Sequence, residues 1–309
     1  MMRLRLLALA ALLLALAGQA SAAGFTRESF VVELREPAFG ARPVPVELWI
    51  PDTGKPSYPL VITQHGSTLD GYRFEGGKGR TDTYSSRMMQ AAVARGFAVA
   101  VLDAFYEKNL APSDKTQFPN AGAYGVRLRA HLLAKESRLD PRNTFYTGFS
   151  FGGDMAMWQL ASRNPTPWAA VVAAEAGCNT FFKPRPLPYP VLIMKGTESH
   201  YDPRACQIAA EENRKIGNRV EVLLFEKANH YFSLNGQIVR GLAFNGCANN
   251  PAINDDATGT WAFHDGTPTT RDEITRRCFR NEGGKGQTYE KMDEAVSKAL
   301  DFFQAHLRP

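Results

Sequence analysis

From Leu60 to Phe225 the chain repeats one pattern: a short, unbroken apolar run, then a stretch with helical spacing. The runs are Leu60 to Thr63, Phe97 to Leu102, Thr144 to Thr147, Ala169 to Ala174, Val191 to Met194 and Val220 to Phe225. Runs this short, rich in Val, Ile and Leu and without polar alternation, describe strands buried on both faces, as in parallel sheets covered by helices. Helical patterns lie between them at Tyr84 to Ala94, ending at Gly96, then Gly122 to Glu136, Gly152 to Ala161 and Pro203 to Lys215. The alternation predicts an α/β architecture with a mostly parallel central sheet, right-handed crossovers and helices on both faces. Ahead of it, Phe30 to Leu34 and Val44 to Ile50 flank a Pro/Gly-rich turn and predict a hairpin. A last helix, Thr288 to Leu307, sets Met292, Ala295, Val296, Ala299, Phe302 and Phe303 at helical spacing and should pack on the sheet.

The amino terminus predicts export. Arg3 and Arg5 precede an apolar run from Leu6 to Ala17, and Ala20-Ser21-Ala22 supplies a small-residue exit. That is the layout of a signal peptide over residues 1–22, leaving residues 23–309 as one domain in the periplasm or outside the cell. The run is about a dozen residues where a spanning helix needs roughly 20, so no membrane insertion is expected after cleavage. Lys plus Arg number 36 against 31 Asp plus Glu, an excess of +5 that falls to +3 without the leader, too small and dispersed for a nucleic-acid partner.

An oxidising compartment lets cysteines pair. Cys178, Cys206, Cys247 and Cys278 allow three connectivities, of which loop proximity favours Cys178 with Cys206 and Cys247 with Cys278. Each bridge would close a loop of roughly 30 residues and contribute about 3 kcal/mol. No CxxC or HxxxH spacing supports a metal site. The last two cysteines lie in a Gly/Asn/Asp/Thr-rich region, about 235–287, without strong periodicity; it reads as a disulfide-stapled insertion, either a surface excursion or a wall beside the site.

The chemistry concentrates in Thr147-Gly148-Phe149-Ser150-Phe151-Gly152-Gly153, which follows a predicted strand and enters a predicted helix. A GxSxG sequence in that setting describes a nucleophile on a sharp strand-to-helix turn, with glycines where chain segments approach closely. A serine hydroxyl needs a base within hydrogen-bond reach. His230, five residues beyond the last core strand, fits best among the six histidines; His65, His131, His200, His264 and His306 are the others. Developing charge on an acyl oxygen needs two donors. The N–H of Phe151 at the helix start is one, and the turn Gln64-His65-Gly66-Ser67 offers the second, from Ser67 or alternatively Gly66.

These segments, in this order, resemble the dienelactone hydrolase-like group of α/β-hydrolases over roughly Leu60 to Phe232. The likeness rests on the His65-Gly66 loop, the Gly148 to Gly153 elbow, the Val191 to Gly196 strand end and Ala228-Asn229-His230-Tyr231-Phe232. It implies hydrolysis of carboxylic esters or lactones. A serine hydrolase of this kind needs no metal and no organic cofactor, and export leaves both small-molecule and polymeric esters open as substrates. The resemblance also agrees with pairing the cysteines of Glu175-Ala176-Gly177-Cys178 and Pro203-Arg204-Ala205-Cys206. The chain departs from the group twice. Founding members use a cysteine nucleophile where this chain has Ser150, and the expected aspartate position, three after Gly196, holds Ser199. The triad acid is therefore expected at Asp202 first and Glu198 second, with Asp103 or a water as the remaining options; Asp202-Pro203 also reads as a helix cap. A different class of function stays open here: an exported binding protein that kept the fold and lost efficient catalysis with its acid.

Overall fold

The computed structural model describes residues 24–36, 40–108, 110, 114, 117–161, 165–232, 245–280 and 291–309. The expected signal peptide, residues 1–22, and the outer parts of the 235–287 region lie outside them.

The predicted strands form a single eight-stranded sheet. In chain order its members are β1 (Phe25–Glu36), β2 (Gly40–Pro51), β3 (Tyr58–Gln64), β4 (Ala98–Leu102), β5 (Leu139–Phe149), β6 (Ala170–Ala174), β8 (Val191–Gly196) and β9 (Val220–Phe225), while β7 (Thr180–Phe182) belongs to a second sheet. Their spatial order is β1-β2-β4-β3-β5-β6-β8-β9. The hairpin β1–β2 and the β2–β4 pair are antiparallel. Every pairing from β4 to β9 is parallel. Strands β4 and β6, Ala98-Val99-Ala100-Val101-Leu102 and Ala170-Val171-Val172-Ala173-Ala174, are buried at every position, which is why neither shows polar alternation.

Helices cover both faces. On one lie α2 (Ala121–Lys135), α3 (Phe151–Trp158) and α4 (Pro203–Lys215), burying Tyr124, Leu128, Ala156, Ala205 and Ala210 against the sheet. On the other lie α1 (Thr83–Ala94) and the C-terminal α6 (Met292–Ala305), which bury Met88, Met89, Val296, Leu300 and Phe303. Phe303 meets Phe145 of β5 at 4.8 Å between ring centroids. Side chains of this size stabilise by about 1.5–3 kcal/mol each when fully buried, so the two apolar layers hold the sheet between them.

Within the 235–287 region, residues 245–280 are more ordered than their composition predicts. They carry β10 (Ala252–Asp255), β11 (Thr260–Phe263), β12 (Pro268–Thr269) and α5 (Arg271–Cys278). These strands join β7 (Thr180–Phe182) in a small sheet ordered β12-β11-β10-β7, with β10 parallel to β7. Cys247 bonds Cys278 inside a satellite core with Ala252, Phe263 and Ile274. The other bridge, Cys178 to Cys206, ties the segment leading into β7 to α4. His264 with Glu212 of α4 at 3.0 Å fastens the added layer to the main body, and Lys183 with Asp255 at 2.8 Å braces β7 against β10 within it.

Candidate active site

Strand β5 ends at Phe149, α3 starts at Phe151, and Ser150 between them has φ 53° and ψ −110°. A non-glycine residue held in this region is strained and must be fixed by its surroundings. The Ser150 N–H donates to Ala174 O of β6 at 2.9 Å, and its C=O accepts from Asp154 N at 2.9 Å. The flanking glycines are required by contact. A Cβ on Gly148 would stand 2.3 Å from Gly152 O, and one on Gly152 would stand 2.1 Å from Gln64 O. The turn thus presents Ser150 Oγ at the carboxyl edge of the sheet, where α3 directs its first N–H groups.

His230, in the turn after β9, meets it. Its Nε2 is 2.9 Å from Ser150 Oγ. On the other side of the ring, Nδ1 is 3.1 Å from Oε2 of Glu175. The imidazole is 3% exposed and is walled by Phe149, His200, Tyr201 and Tyr231, with ring centroids 5.4, 4.2, 5.3 and 5.1 Å away.

Glu175 was not among the sequence candidates for the acid, and it corrects them. It follows β6, the strand beside the nucleophile's own, and has φ 54°. Asp202 instead caps α4, accepting from Arg204 N at 2.9 Å and from the Arg204 guanidinium, while its own N–H donates to Asn245 Oδ1 at 2.7 Å. These bonds hold its carboxyl below the usual range, against the opposing effect of burial. The cap signal in Asp202-Pro203 was the operative one. Glu198 enters the loop through its backbone, N–H to Ala228 O at 3.0 Å, and its carboxylate is not the one at His230. Asp103 accepts from Arg80 N at 3.0 Å and Phe105 N at 2.9 Å, which shapes the loop after β4. A signal for Glu175 did exist: a lone charged residue directly after a fully apolar strand stands at the carboxyl edge, where open α/β sheets gather ligands.

The carboxylate of Glu175 is completely buried and fully engaged. Its Oε2 accepts from Lys195 Nζ at 2.7 Å and Ser199 Oγ at 2.7 Å, and its Oε1 accepts from Gly196 N at 2.5 Å. Burial alone would raise its pKa, but the Lys195 charge and the His230 hydrogen bond prevail and hold it below the usual carboxylate value.

On the opposite side, the turn after β3 is set by two polar side chains. His65 Nε2 accepts from Ala104 N at 2.9 Å, so its Nδ1 carries the proton and donates to Gly66 O at 2.7 Å. Gly66 N–H donates to the buried Asp82 carboxylate at 2.5 Å, which removes Gly66 as an oxyanion donor. Of the two alternatives in this turn, Ser67 is the one that remains, half-buried next to Gly66.

Next to the histidine, a cavity of about 360 Å³ runs between α3 and β7, walled by Met155, Met157, Trp158, Phe181 and Phe182. Tyr201, which packs on His230, lines it as well.

No family model matches the chain. A curated protein of Nocardia uniformis subsp. tsuyamanensis, named "Putative esterase NocK", is 34% identical over 122 residues, 38% of this chain and 33% of that protein. The match thus spans about a third of that relative's length. Among solved structures, a "putative dipeptidyl aminopeptidase IV" from Bacteroides ovatus superposes with TM-score 0.55 at 11% identity, over 92% of this chain and 36% of that one. A "Putative Dienelactone Hydrolase" from Klebsiella pneumoniae subsp. pneumoniae has TM-score 0.49 at 15% identity, over 67% of this chain and 88% of that one. At 11% identity, the superposition on the Bacteroides ovatus chain shows the fold alone.

Proposed function

Starting from the α/β-hydrolase fold of this chain, we propose that it is a serine hydrolase of carboxylic esters or lactones, similar to the dienelactone hydrolases, working through an acyl-enzyme. The observation that carries this reading is the relay Ser150 Oγ to His230 Nε2 at 2.9 Å and His230 Nδ1 to Glu175 at 3.1 Å.

Ser150 Oγ adds to the ester carbonyl carbon as His230 Nε2 accepts the hydroxyl proton. The oxyanion is met by the N–H groups of Phe151 and Ser67. The tetrahedral adduct collapses, the bond to the leaving oxygen breaks, and that oxygen departs as the alcohol with the proton from His230. A water, deprotonated by the same imidazole, then adds to the acyl-enzyme and releases the acid and free Ser150. Glu175 fixes the ring tautomer and stabilises the imidazolium in both half-reactions. The apolar cavity beside Tyr201 suits the hydrocarbon part of an ester, small-molecule or polymeric in origin.

The reading of a non-catalytic binding protein rested on a missing acid, and the carboxylate of Glu175 at His230 removes that motive. Two disulfides support residence in an oxidising compartment, periplasmic or extracellular, as the leader-like segment 1–22 suggests. Among the described residues no helix is long and apolar enough to cross a membrane.

The test is labelling with a fluorophosphonate and turnover of a short p-nitrophenyl ester. Both should be present in the native chain and abolished in Ser150→Ala. Unchanged turnover in that variant overturns the assignment.

A further inference from the structure

The relay ends in a place unusual for a carboxylate that must stabilise an imidazolium. Glu175 is paired with a lysine. Lys195 and Glu175 are both 0% exposed, and Nζ to Oε2 is 2.7 Å. Lys195 sits near the end of β8 with its ammonium also donating to Ala176 O at 3.1 Å and lying 3.5 Å from Ser199 Oγ. Three groups therefore converge on one oxygen, Oε2: the ammonium, the Ser199 hydroxyl and the His230 ring N–H. A buried ion pair costs desolvation that its own attraction seldom outweighs, so a lysine at this spot calls for an explanation beyond stability.

We propose that Lys195, seconded by Ser199, is a positioning residue that keeps Glu175 anionic and cancels enough of its charge for His230 to remain an unprotonated base near neutral pH. The inference rests on the serine-hydrolase reading above. Glu175 and His230 titrate as one unit, since the carboxylate and ring share a hydrogen bond. Without a cation beside it, that pair has a net negative charge in a dry site and binds a proton readily, on either partner, and in both cases the base is impaired. With the ammonium in contact, the same proton meets a group already neutralised. From the two distances, Nζ lies within about 6 Å of Nδ1. A unit charge at that range, at an effective dielectric constant near 20, moves a titration by about two pH units.

The other titratable groups facing the pair pack on the ring of His230. From the loop before α4 come the His200 ring, 4.2 Å away, and Tyr201, whose hydroxyl is kept protonated chiefly by burial and then by Asp154. Tyr231 follows His230 in sequence and is likewise kept protonated by burial, with Asp70 a lesser influence. Asp154 and Asp70 are acidic, and Ser199 is neutral. Among the described groups, Lys195 is the basic side chain in contact with the Glu175 carboxylate. Ser199, which stands where the related group is expected to carry its own acid, here donates a hydrogen bond to a carboxylate from the neighbouring strand.

The experiment is the pH profile of fluorophosphonate labelling rate, measured on the native chain, Lys195→Met, Lys195→Arg and Ser199→Ala. The acid limb should rise by about one to two pH units in Lys195→Met, return towards its native position in Lys195→Arg, and rise by roughly half a unit in Ser199→Ala. A native-position limb in a folded, labelled Lys195→Met overturns the proposal, as does an Arg variant that titrates like the Met variant. Should Lys195→Met not fold, Ser199→Ala decides by itself: an unmoved limb overturns the proposal. Absence of Ser150-dependent labelling in the native chain is a separate result, and it defeats the hydrolase reading instead.

Discussion

Glu175 Oε2 stands 3.1 Å from His230 Nδ1, although 55 residues separate them in the chain. The contact exists because β6, β8 and β9 are adjacent in the sheet and release the two residues at the same edge. Replacing Glu175 with Ala should lower kcat by about 10²- to 10⁴-fold, the range expected when an orienting acid is lost. Asp202→Asn and Glu198→Gln should each leave kcat within about twofold, because neither side chain reaches the imidazole, with Asp202→Asn reducing stability by up to roughly 1 kcal/mol through the lost ion pair with Arg204, since Asn caps a helix as well as Asp does. Steady-state kinetics on a p-nitrophenyl ester, with thermal melts alongside, separates these outcomes. Full activity in Glu175→Ala refutes the role given to this carboxylate.

The elbow makes a steric prediction. A methyl group on Gly152 would lie 2.1 Å from Gln64 O, a backbone atom of β3 that has no freedom to withdraw. Gly152→Ala should therefore separate α3 from β3, costing about 1–3 kcal/mol and depressing labelling of Ser150. A variant with native melting temperature and native labelling would mean that the turn tolerates a side chain.

Much of this architecture is legible in the chain because burial on both strand faces leaves a mark that local reading detects. Ala98 to Leu102 and Ala170 to Ala174 have no polar position to confuse the assignment, and Ser150 is flagged by glycines whose need is local. Glu175 was missed for a reason of a different kind. Its role depends on which strands are neighbours and on where β9 delivers His230, and neither is encoded within a few residues of it. Asp202 attracted attention because it lies near the related group's acid position, yet one residue pair, Asp202-Pro203, serves a helix cap equally well. The 235–287 region escaped for a third reason: its strands are short and partly paired with Thr180 to Phe182, a partner some 70 residues earlier, so no periodicity announces them.

Reduction should act on the site as well as on stability. Cys178 lies three residues after Glu175 and is bonded to Cys206 of α4, so this bridge restrains the segment that carries the acid. Breaking it in Cys178→Ser/Cys206→Ser should destabilise the chain by about 2–4 kcal/mol and lower Tm by roughly 5–10 °C. It should also reduce kcat more than Cys247→Ser/Cys278→Ser does, because the second bridge closes the satellite core, away from Glu175. Equal loss of kcat in the two double variants would contradict this division.

The β1–β2 hairpin carries its own buried carboxylate, with no part in the chemistry. Glu47, 0% exposed, accepts from Arg27 at 2.9 and 3.1 Å, Ser29 at 2.9 Å, Trp49 Nε1 at 2.7 Å, Tyr72 OH at 2.7 Å and Glu75 N at 2.8 Å. Burial pushes its pKa up, but the hydrogen bonds, first that of Arg27, outweigh it and leave the pKa lowered. A carboxyl depressed by folding stabilises fully above its unfolded value, about 4.3, and loses that contribution as pH falls through the lower folded value. Glu47→Gln should cost about 2–3 kcal/mol at pH 7, below the range for a fully buried pair because Arg27 remains partly exposed. The deficit should shrink below pH 4, as the native carboxyl itself takes up a proton. Urea unfolding at pH 7 and again near pH 3.5 measures both values, and a deficit that stays constant between them would show that the contribution of Glu47 does not depend on its charge.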